Sequence, residues 1–394
     1  MRSELQNIID VLSGQVGAPI SLTDPQFNSI VFGPHQDTEI DTIRRQALLN
    51  RQTSPPVRAW FESFGTTTAT APVRIPADPA MQAKSRLIVP IRGGTILYGY
   101  LCLLDDDHRV GDTEMALVND ALPEIARFLL RQHRDRERGA ELLRSLLSSS
   151  TDERDEAAAA IGAAHVHPKN TIAVLRFPPD LDELVIEREI DDVLRRTTSP
   201  AQSVLRFVER GRAVFLIRSR THLRAAHLAR DLIEQCHHLR TAGDRVVAGI
   251  GDEHSDLTVS PKSWEHAELA ARVAAADHHT DRVAEWSKLG AMRMLATLAP
   301  TRLRELVDPR FGALIEADDP ALISTLETYL DAAANAQRTA QILNVHRGTL
   351  YYRLRKAQEL SGFALTDGLD VLALHLAIKA HRLVCSESGN DLRA

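Results

Sequence analysis

The 394 residues are 44% hydrophobic and 25% charged. That is an ordinary globular mixture; it excludes a wholly disordered chain and, at roughly 150 residues per domain, implies two or three domains. The formal net charge of −6 excludes a chain that is basic throughout, so any grip on nucleic acid has to come from a local patch.

Arginine far outnumbers lysine among the 47 basic residues, so arginine alone is no signal. The longest apolar runs, Ile96–Leu104 and Ala157–Ala164, fall well short of the ~20 residues of a membrane span. Met1–Asp10 carries Arg2, Glu4 and Asp10 and lacks the apolar stretch of a signal peptide. Cys102, Cys236 and Cys385 lie far apart, with neither a disulfide framework nor a zinc-type spacing. The expectation is a cytoplasmic protein with no membrane partner.

At the start of the chain, Leu5, Ile8, Ile9 and Leu12 take the spacing of a helix face. Pro19–Leu22 and Ser29–Phe32 flank Asp24-Pro25 and read as two strands around a turn. Arg86–Ile91, Gly93-Gly94 and Ile96–Leu104 read as a hairpin. Its second strand is apolar at both alternating sets of positions, which predicts a central strand covered on both faces. Trp60, Phe61 and Phe64 read as core packing ahead of pocket lining, and Asp105-Asp106-Asp107 as a charged loop ahead of a cation site. A long helix is predicted from about Asp112 to Ser148. Its apolar stripes, Leu117–Leu129 and Leu142–Leu147, flank the charged Arg131–Arg138 and predict pairing with a second copy of the chain ahead of burial against the α/β sheets of one copy.

Strands over Thr171–Phe177, Ala213–Arg218 and Val246–Ile250 alternate with helices over Leu181–Arg195, His222–Leu239 and Trp264–Ala276. That alternation is the pattern of an α/β sandwich. From Lys288 onward the pattern is wholly helical. Gly249-Ile250-Gly251 lacks the third glycine of a dinucleotide fingerprint, and no P-loop, Gly-x-Ser-x-Gly or His-Glu-x-x-His string is present. No catalytic residue and no cofactor are expected. His165-x-His167, His237-His238 and His278-His279 lack cysteines or carboxylates at ligand spacing, so no metal site is expected either.

The strongest local signal is Gln337–Leu360. Ala340 and Leu343 face inward from one short helix, and Asn344-Val345 supply a tight turn, with Asn tolerating a left-handed backbone. Leu350, Leu354, Ala357 and Ser361 share one side of a second helix. Tyr351, Tyr352, Arg355 and Lys356 lie on the other side, with Arg347 at its start. This is the packing logic of a helix-turn-helix. Residues 335–361 hold five basic side chains against Glu359, whereas 308–334 hold six acids against Arg310. A basic island in an acidic chain is what phosphate binding requires. A helical hairpin with a solvated basic face is the plain alternative. On the residues alone, a nucleotide-handling enzyme and a protein-binding module with a basic helical accessory domain also stay open.

Leu322–Leu383 resembles the C-terminal helix-turn-helix of PucR/CdaR-type bacterial transcriptional regulators. The resemblance is carried by Leu326–Leu330, Thr339–Leu343, the string from His346 to Leu354, and Leu369–Leu383 as a closing helix. The family usually has Asn where this chain has Gly348. Residues 1–130 resemble the GAF-type sensor of actinobacterial members through Leu22-Thr23-Asp24, Val89-Pro90-Ile91 and Leu97–Leu101. Residues 165–290 are similar to the degenerate GGDEF-like middle domain through Gly249-Ile250-Gly251 and Ser263–Ala271, without the Gly-Gly-Asp/Glu-Glu-Phe turn of cyclases.

The resemblance implies a multidomain chain: an α/β GAF-like domain over 1–112, a linker and dimerisation helix over 113–160, an α/β degenerate GGDEF-like domain over 161–290, and an all-α domain over 291–394 with its helix-turn-helix at 336–361. It implies a non-enzymatic regulator that binds double-stranded DNA as a homodimer or higher even oligomer and answers a small-molecule effector or another signal through its GAF-like domain, at residues the sequence does not disclose. The DNA-facing set is Arg338, Thr339, His346, Arg347, Gly348, Thr349, Tyr351, Tyr352, Arg355 and Lys356. Of these, Arg347, Tyr351 and Tyr352 are placed toward base edges, and Arg338, Arg355 and Lys356 toward phosphates.

Overall fold

Strand Ile96–Leu104 sends Leu101 and Leu103 to one face of its sheet and Tyr100 and Cys102 to the other, and all four are buried. A computed structural model describes residues 2–34, 40–50, 53–164, 169–197, 204–219, 223–236, 245–276 and 282–387. The six histidines at 165, 167, 237, 238, 278 and 279 lie outside the described residues. The chain divides into two units, Met1–Arg138 and Gly139–Ala394.

The first unit runs α1 (Arg2–Val16), β1 (Ile20–Thr23), β2 (Ser29–Phe32), α2 (Thr42–Asn50), α3 (Pro55–Ser63), β3 (Val73–Ile75), β4 (Arg86–Gly93), β5 (Ile96–Leu104) and most of α4 (Asp112–Leu146). The five strands form an antiparallel sheet in the order β2-β1-β5-β4-β3, with β5 at its centre as the two-sided apolar pattern predicts. Leu5, Ile9 and Leu12 of α1 and Val118, Ile125 and Leu129 of α4 cover one face. Ile43, Val57 and Phe61 of α2 and α3 cover the other, where the rings of Phe27 and Tyr100 stack at 4.3 Å. Asp105 is buried, accepts the Val110 N–H at 2.8 Å and pairs with Arg74, while Asp106 pairs with Lys84. These two carboxylates hold loop and sheet edge together.

The second unit carries the last turns of α4, then α5 (Thr151–Ala164), β6 (Lys169–Arg176), α6 (Glu183–Thr197), β7 (Val204–Glu209), β8 (Arg212–Ser219), α7 (Leu223–Gln235), β9 (Val247–His254), α8 (Ser260–Ala276) and β10 (Val283–Glu285). Sheet order is β10-β9-β6-β8-β7, with β10 parallel to β9 and the other pairs antiparallel. Parity along β6 sorts its two cores. Ala173 and Leu175 meet α6 and α7, whereas Ile172 and Val174 meet α5, α8 and Leu143, Leu146 and Leu147 of α4.

Gly249 and Gly251 have a packing role. A Cβ on Gly249 would stand 2.0 Å from the Ala267 carbonyl oxygen, and one on Gly251 1.9 Å from that of Ser263. Helix α8 therefore lies against bare backbone of β9, which is why small residues face each other there.

Helices α9 (Met292–Ala296), α10 (Pro300–Leu306), α11 (Gly312–Glu316), α12 (Pro320–Asp331), α13 (Ala336–Ile342), α14 (Arg347–Ser361) and α15 (Gly368–Glu387) complete the chain. Ala380 and Leu383 of α15 share a core with Val273 and Ala274 of α8 and with Leu303 of α10. The boundary expected at residue 290 is thus bridged by packing.

The segment 113–160 holds most of α4 and of α5; the two units divide inside it, and α5 packs on the second sheet. Val118, Ile125, Leu129, Leu143, Leu146 and Leu147 are all buried within one chain. Each of these triplets packs on the sheet of its own unit, while Leu117, Leu122, Phe128 and Leu142 of the same stripes stay half-buried.

Candidate nucleic-acid interface

Two short helices are locked to each other before any side chain reaches outward. The side chain of Asn335 caps α13 by accepting the Arg338 N–H at 2.9 Å. After Ile342 the chain turns at Asn344, whose φ of 51° is left-handed, and the Val345 N–H returns to the Ala340 carbonyl at 3.0 Å. Asn tolerates that conformation better than other non-glycine residues, and half-buried Val345 packs on the helical core. His346 caps α14: its Nδ1 accepts the Gly348 N–H at 3.2 Å. The helix ends at Gly362, φ 74°, whose N–H bonds the Gln358 carbonyl at 2.8 Å.

Leu350, Leu354, Ala357 and Ser361 are the buried residues of α14, the set that the helical spacing predicts. They pack against Leu326 and Leu330 of α12 and Leu374 and Ile378 of α15. With that face fixed, Tyr351 and Tyr352 stand out at 58% and 56% exposure. Arg338, His346, Arg347, Gly348, Thr349 and Arg355 are exposed beside them. Arg347 also reaches Gln337 of α13 at 3.4 Å, a link between the two helices that the sequence reading missed.

Two members of the expected contact set are placed differently. Thr339 is fully buried and donates its hydroxyl to the Asn335 carbonyl at 2.8 Å, so its side chain faces the core. A polar residue on a short capped helix satisfies itself internally at no cost in lost hydrogen bonds. Lys356 is half-buried, with Nζ 3.0 Å from Asp319 Oδ2 at the start of α12. Arg353, half-buried, turns toward Thr325 at 3.4 Å.

The acidic run before the helix-turn-helix is neutralised from the closing helix. Buried Glu327 receives Lys379 at 3.0 Å and Arg382 at 3.1 Å, and Asp331 receives His375 and Lys379, each at 2.8 Å. Arg310 bridges Asp308 and Asp370, both at 2.9 Å. Burial works to raise the Asp331 carboxyl, but the hydrogen bonds from His375 and Lys379 outweigh it and hold the group at about 2. Carboxylates of α12 are therefore largely spent inside the bundle, and the positive charge of α14 projects outward. Such a surface can meet a polyanion. Among the described residues, no helix is long and apolar enough to cross a membrane and no group of three or more His, Cys, Asp or Glu is placed to hold a metal ion.

Residues 322–380 match the family described as the PucR C-terminal helix-turn-helix domain, and residues 147–273 match the GGDEF-like domain. The chain is 20% identical over 384 residues to the proline-responsive transcriptional activator PutR of Bacillus subtilis (strain 168), covering 93% of each. It is also 20% identical over 398 residues to the DNA-binding transcriptional activator AdeR of the same organism, covering 96% of this chain and 93% of AdeR. Among solved structures, a regulator of polyketide synthase expression from Bifidobacterium adolescentis matches 62% of this chain and 98% of its own at 20% identity, with a TM-score of 0.30.

Proposed function

This chain is a PucR/CdaR-type transcriptional regulator that binds DNA, and from that premise we propose that α14 is its reading helix, docked in the major groove as one of a pair. The observation that carries this reading is the exposed Tyr351-Tyr352 pair, flanked by Arg347 and Arg355, on a helix whose opposite face is fixed in the core. Arg347, Tyr351 and Tyr352 meet base edges from the first two turns, and Arg338 and Arg355 meet phosphates. One such helix reads too few base pairs to be selective in a genome, so two copies of the chain act together on paired half-sites in the cytoplasm. The N-terminal α/β unit senses a signal, and its state biases the fit of the two reading helices to DNA.

The GGDEF-like domain acts as a structural part and makes no cyclic dinucleotide. Its paired glycines on β9 are occupied by α8, and the β7–β8 turn is Arg210-Gly211, where the neighbouring carboxylates are engaged by Arg210 itself: Glu183 accepts its N–H at 2.6 Å and Glu209 faces its guanidinium at 3.4 Å. Product from GTP and magnesium would reject that part. The DNA-binding part is tested by enriching bound duplexes from a random-sequence pool with the full chain. Recovery of one repeated half-site supports it, and a pool with no sequence preference rejects it.

A further inference from the structure

Helix α15 is apolar on two sides. Leu374, Ala377 and Ile378 turn into the core shared with α12 and α14. At about 100° per residue, Leu369, Leu372, Leu376, Ala380 and Leu383 form a second stripe roughly opposite that set. The last two are buried and share a core with Val273 and Ala274 of α8 and Leu303 of α10. The first three run past that cover and stand 79%, 55% and 40% exposed. Single leucines on a surface mean little, but three on one side of one helix make a patch.

The polar neighbours of these leucines are engaged elsewhere. Asp367 caps the helix by accepting the N–H groups of Leu369 at 2.9 Å and Asp370 at 3.0 Å, and Asp370 pairs with Arg310 at 2.9 Å. Lys379 is held by Glu327 and Asp331, and His375 by Asp331. The stripe itself carries no charge, and a helix apolar all round is ordinarily covered all round. The stripe is also its own complement. With a second α15 laid antiparallel about the midpoint of Leu372 and Ala373, Leu369 faces Leu376 of the second copy, and Leu372 faces the small Ala373.

We propose that this stripe seats the same stripe of a second copy, antiparallel across a two-fold axis near Leu372, once both copies stand on paired DNA half-sites. The size of the patch sets that condition. A dimer stable by itself buries about 800 Å² per partner, from roughly 20–30 residues. Three leucines and an alanine fall far short, so the contact closes only between copies already held side by side. A weak contact suffices there, because a neighbour on the same duplex is present at an effective concentration on the order of millimolar. This proposal rests on reading α14 as one of a pair, and adds the surface through which the pair cooperates.

The test uses the full chain and two duplexes, one carrying a single half-site enriched from the random pool and one carrying the pair. Leu372→Gln is expected to weaken binding to the paired duplex by about tenfold or more and to leave the single half-site unchanged. Because Leu372 is exposed, the variant is expected to keep the parent melting temperature. Leu372→Cys, made together with Cys385→Ser to remove a half-exposed thiol, is expected to be joined copy to copy by a short bis-maleimide on the paired duplex and not on the single one. Equal weakening on both duplexes, or no joining on the paired one, would overturn the stripe as the contact. The same data separate the two readings. A parent that binds the paired duplex no more tightly than the single one rejects pairing itself. A parent that favours the paired duplex, with Leu372→Gln matching it, keeps pairing and rejects the stripe.

Discussion

Lys356 on α14 and Asp319 at the start of α12 are 37 residues apart in sequence, yet their charged ends meet at 3.0 Å. The contact pins the middle of the proposed reading helix to its support and holds one of its cations to the protein. Arg355, one residue earlier, faces Glu359 only at 3.8 Å and is well exposed. A phosphate at Lys356 must compete with a carboxylate; at Arg355 it competes mainly with water.

Salt dependence should register that difference. Each fully made phosphate contact contributes about 0.9 to the slope of log affinity against log salt. Arg355→Ala is expected to lower the slope by about that amount, and Lys356→Ala by clearly less. Asp319→Asn, which frees Lys356, is expected to steepen the slope and tighten binding to random duplex. Titrations of a fluorescent duplex over a salt series check all three; a Lys356→Ala effect equal to that of Arg355→Ala would show that Asp319 yields to DNA at no cost.

The His346 cap is a stability element separable from DNA contact. Replacing a capping side chain by alanine costs about 0.5–2 kcal/mol, whereas asparagine restores an acceptor at the same place. His346→Ala is therefore expected to lower the urea midpoint of the helical region and His346→Asn to leave it near the parent. If both variants fell equally, the imidazole would be holding the helix by something other than its Nδ1.

Opposite outcomes are expected at two kinds of glycine. Gly251→Ala drives a Cβ into the Ser263 carbonyl, an overpacking that costs typically about 1–3 kcal/mol and here forces α8 off β9. Gly348→Ala meets only His346 Nδ1 at 3.5 Å, an ordinary contact, and gains helix propensity of up to about 1 kcal/mol. Thermal melts followed at 222 nm should move down for the first and stay level or rise for the second. A Gly251→Ala protein as stable as the parent would contradict the close approach of α8.

Acid should loosen α12 from α15. The Asp331 carboxyl is held at about 2, below its ordinary value, so the stabilisation it provides is fully present above about 4 and is lost as pH falls toward 2. The melting temperatures of the parent and Asp331→Asn are expected to differ at pH 6 and to converge between pH 4 and pH 2. A gap that stays constant across that window would mean that Asp331 contributes by shape alone.

The sequence disclosed local matters well and distant ones poorly. Helical spacing picked out Leu350, Leu354, Ala357 and Ser361, and Asn344 announced its turn, because each depends on neighbours within a few residues. The sided strand β5 was legible for the same reason. Three-residue strands β3 and β10 carry too little pattern to be seen, and Arg206 interrupts the alternation of β7. The family resemblance puts Thr339 in the DNA-facing set, and its bond to Asn335 is invisible until the helix is built. The stripes of α4 were legible as apolar but not as to what covers them, because each packs on a different sheet that exists only once distant strands have paired. The pairing of Asp319 with Lys356 is tertiary and leaves no local trace.

The most direct test of the reading helix compares Arg347→Ala with the parent on two duplexes at one salt concentration: the sequence enriched from the random pool, and a scrambled version of it. A side chain that meets base edges should cost about 1–3 kcal/mol on the enriched duplex, with the scrambled one nearly unaffected. Equal loss on both duplexes would make Arg347 a phosphate contact and contradict the assignment of α14 as the element that reads sequence.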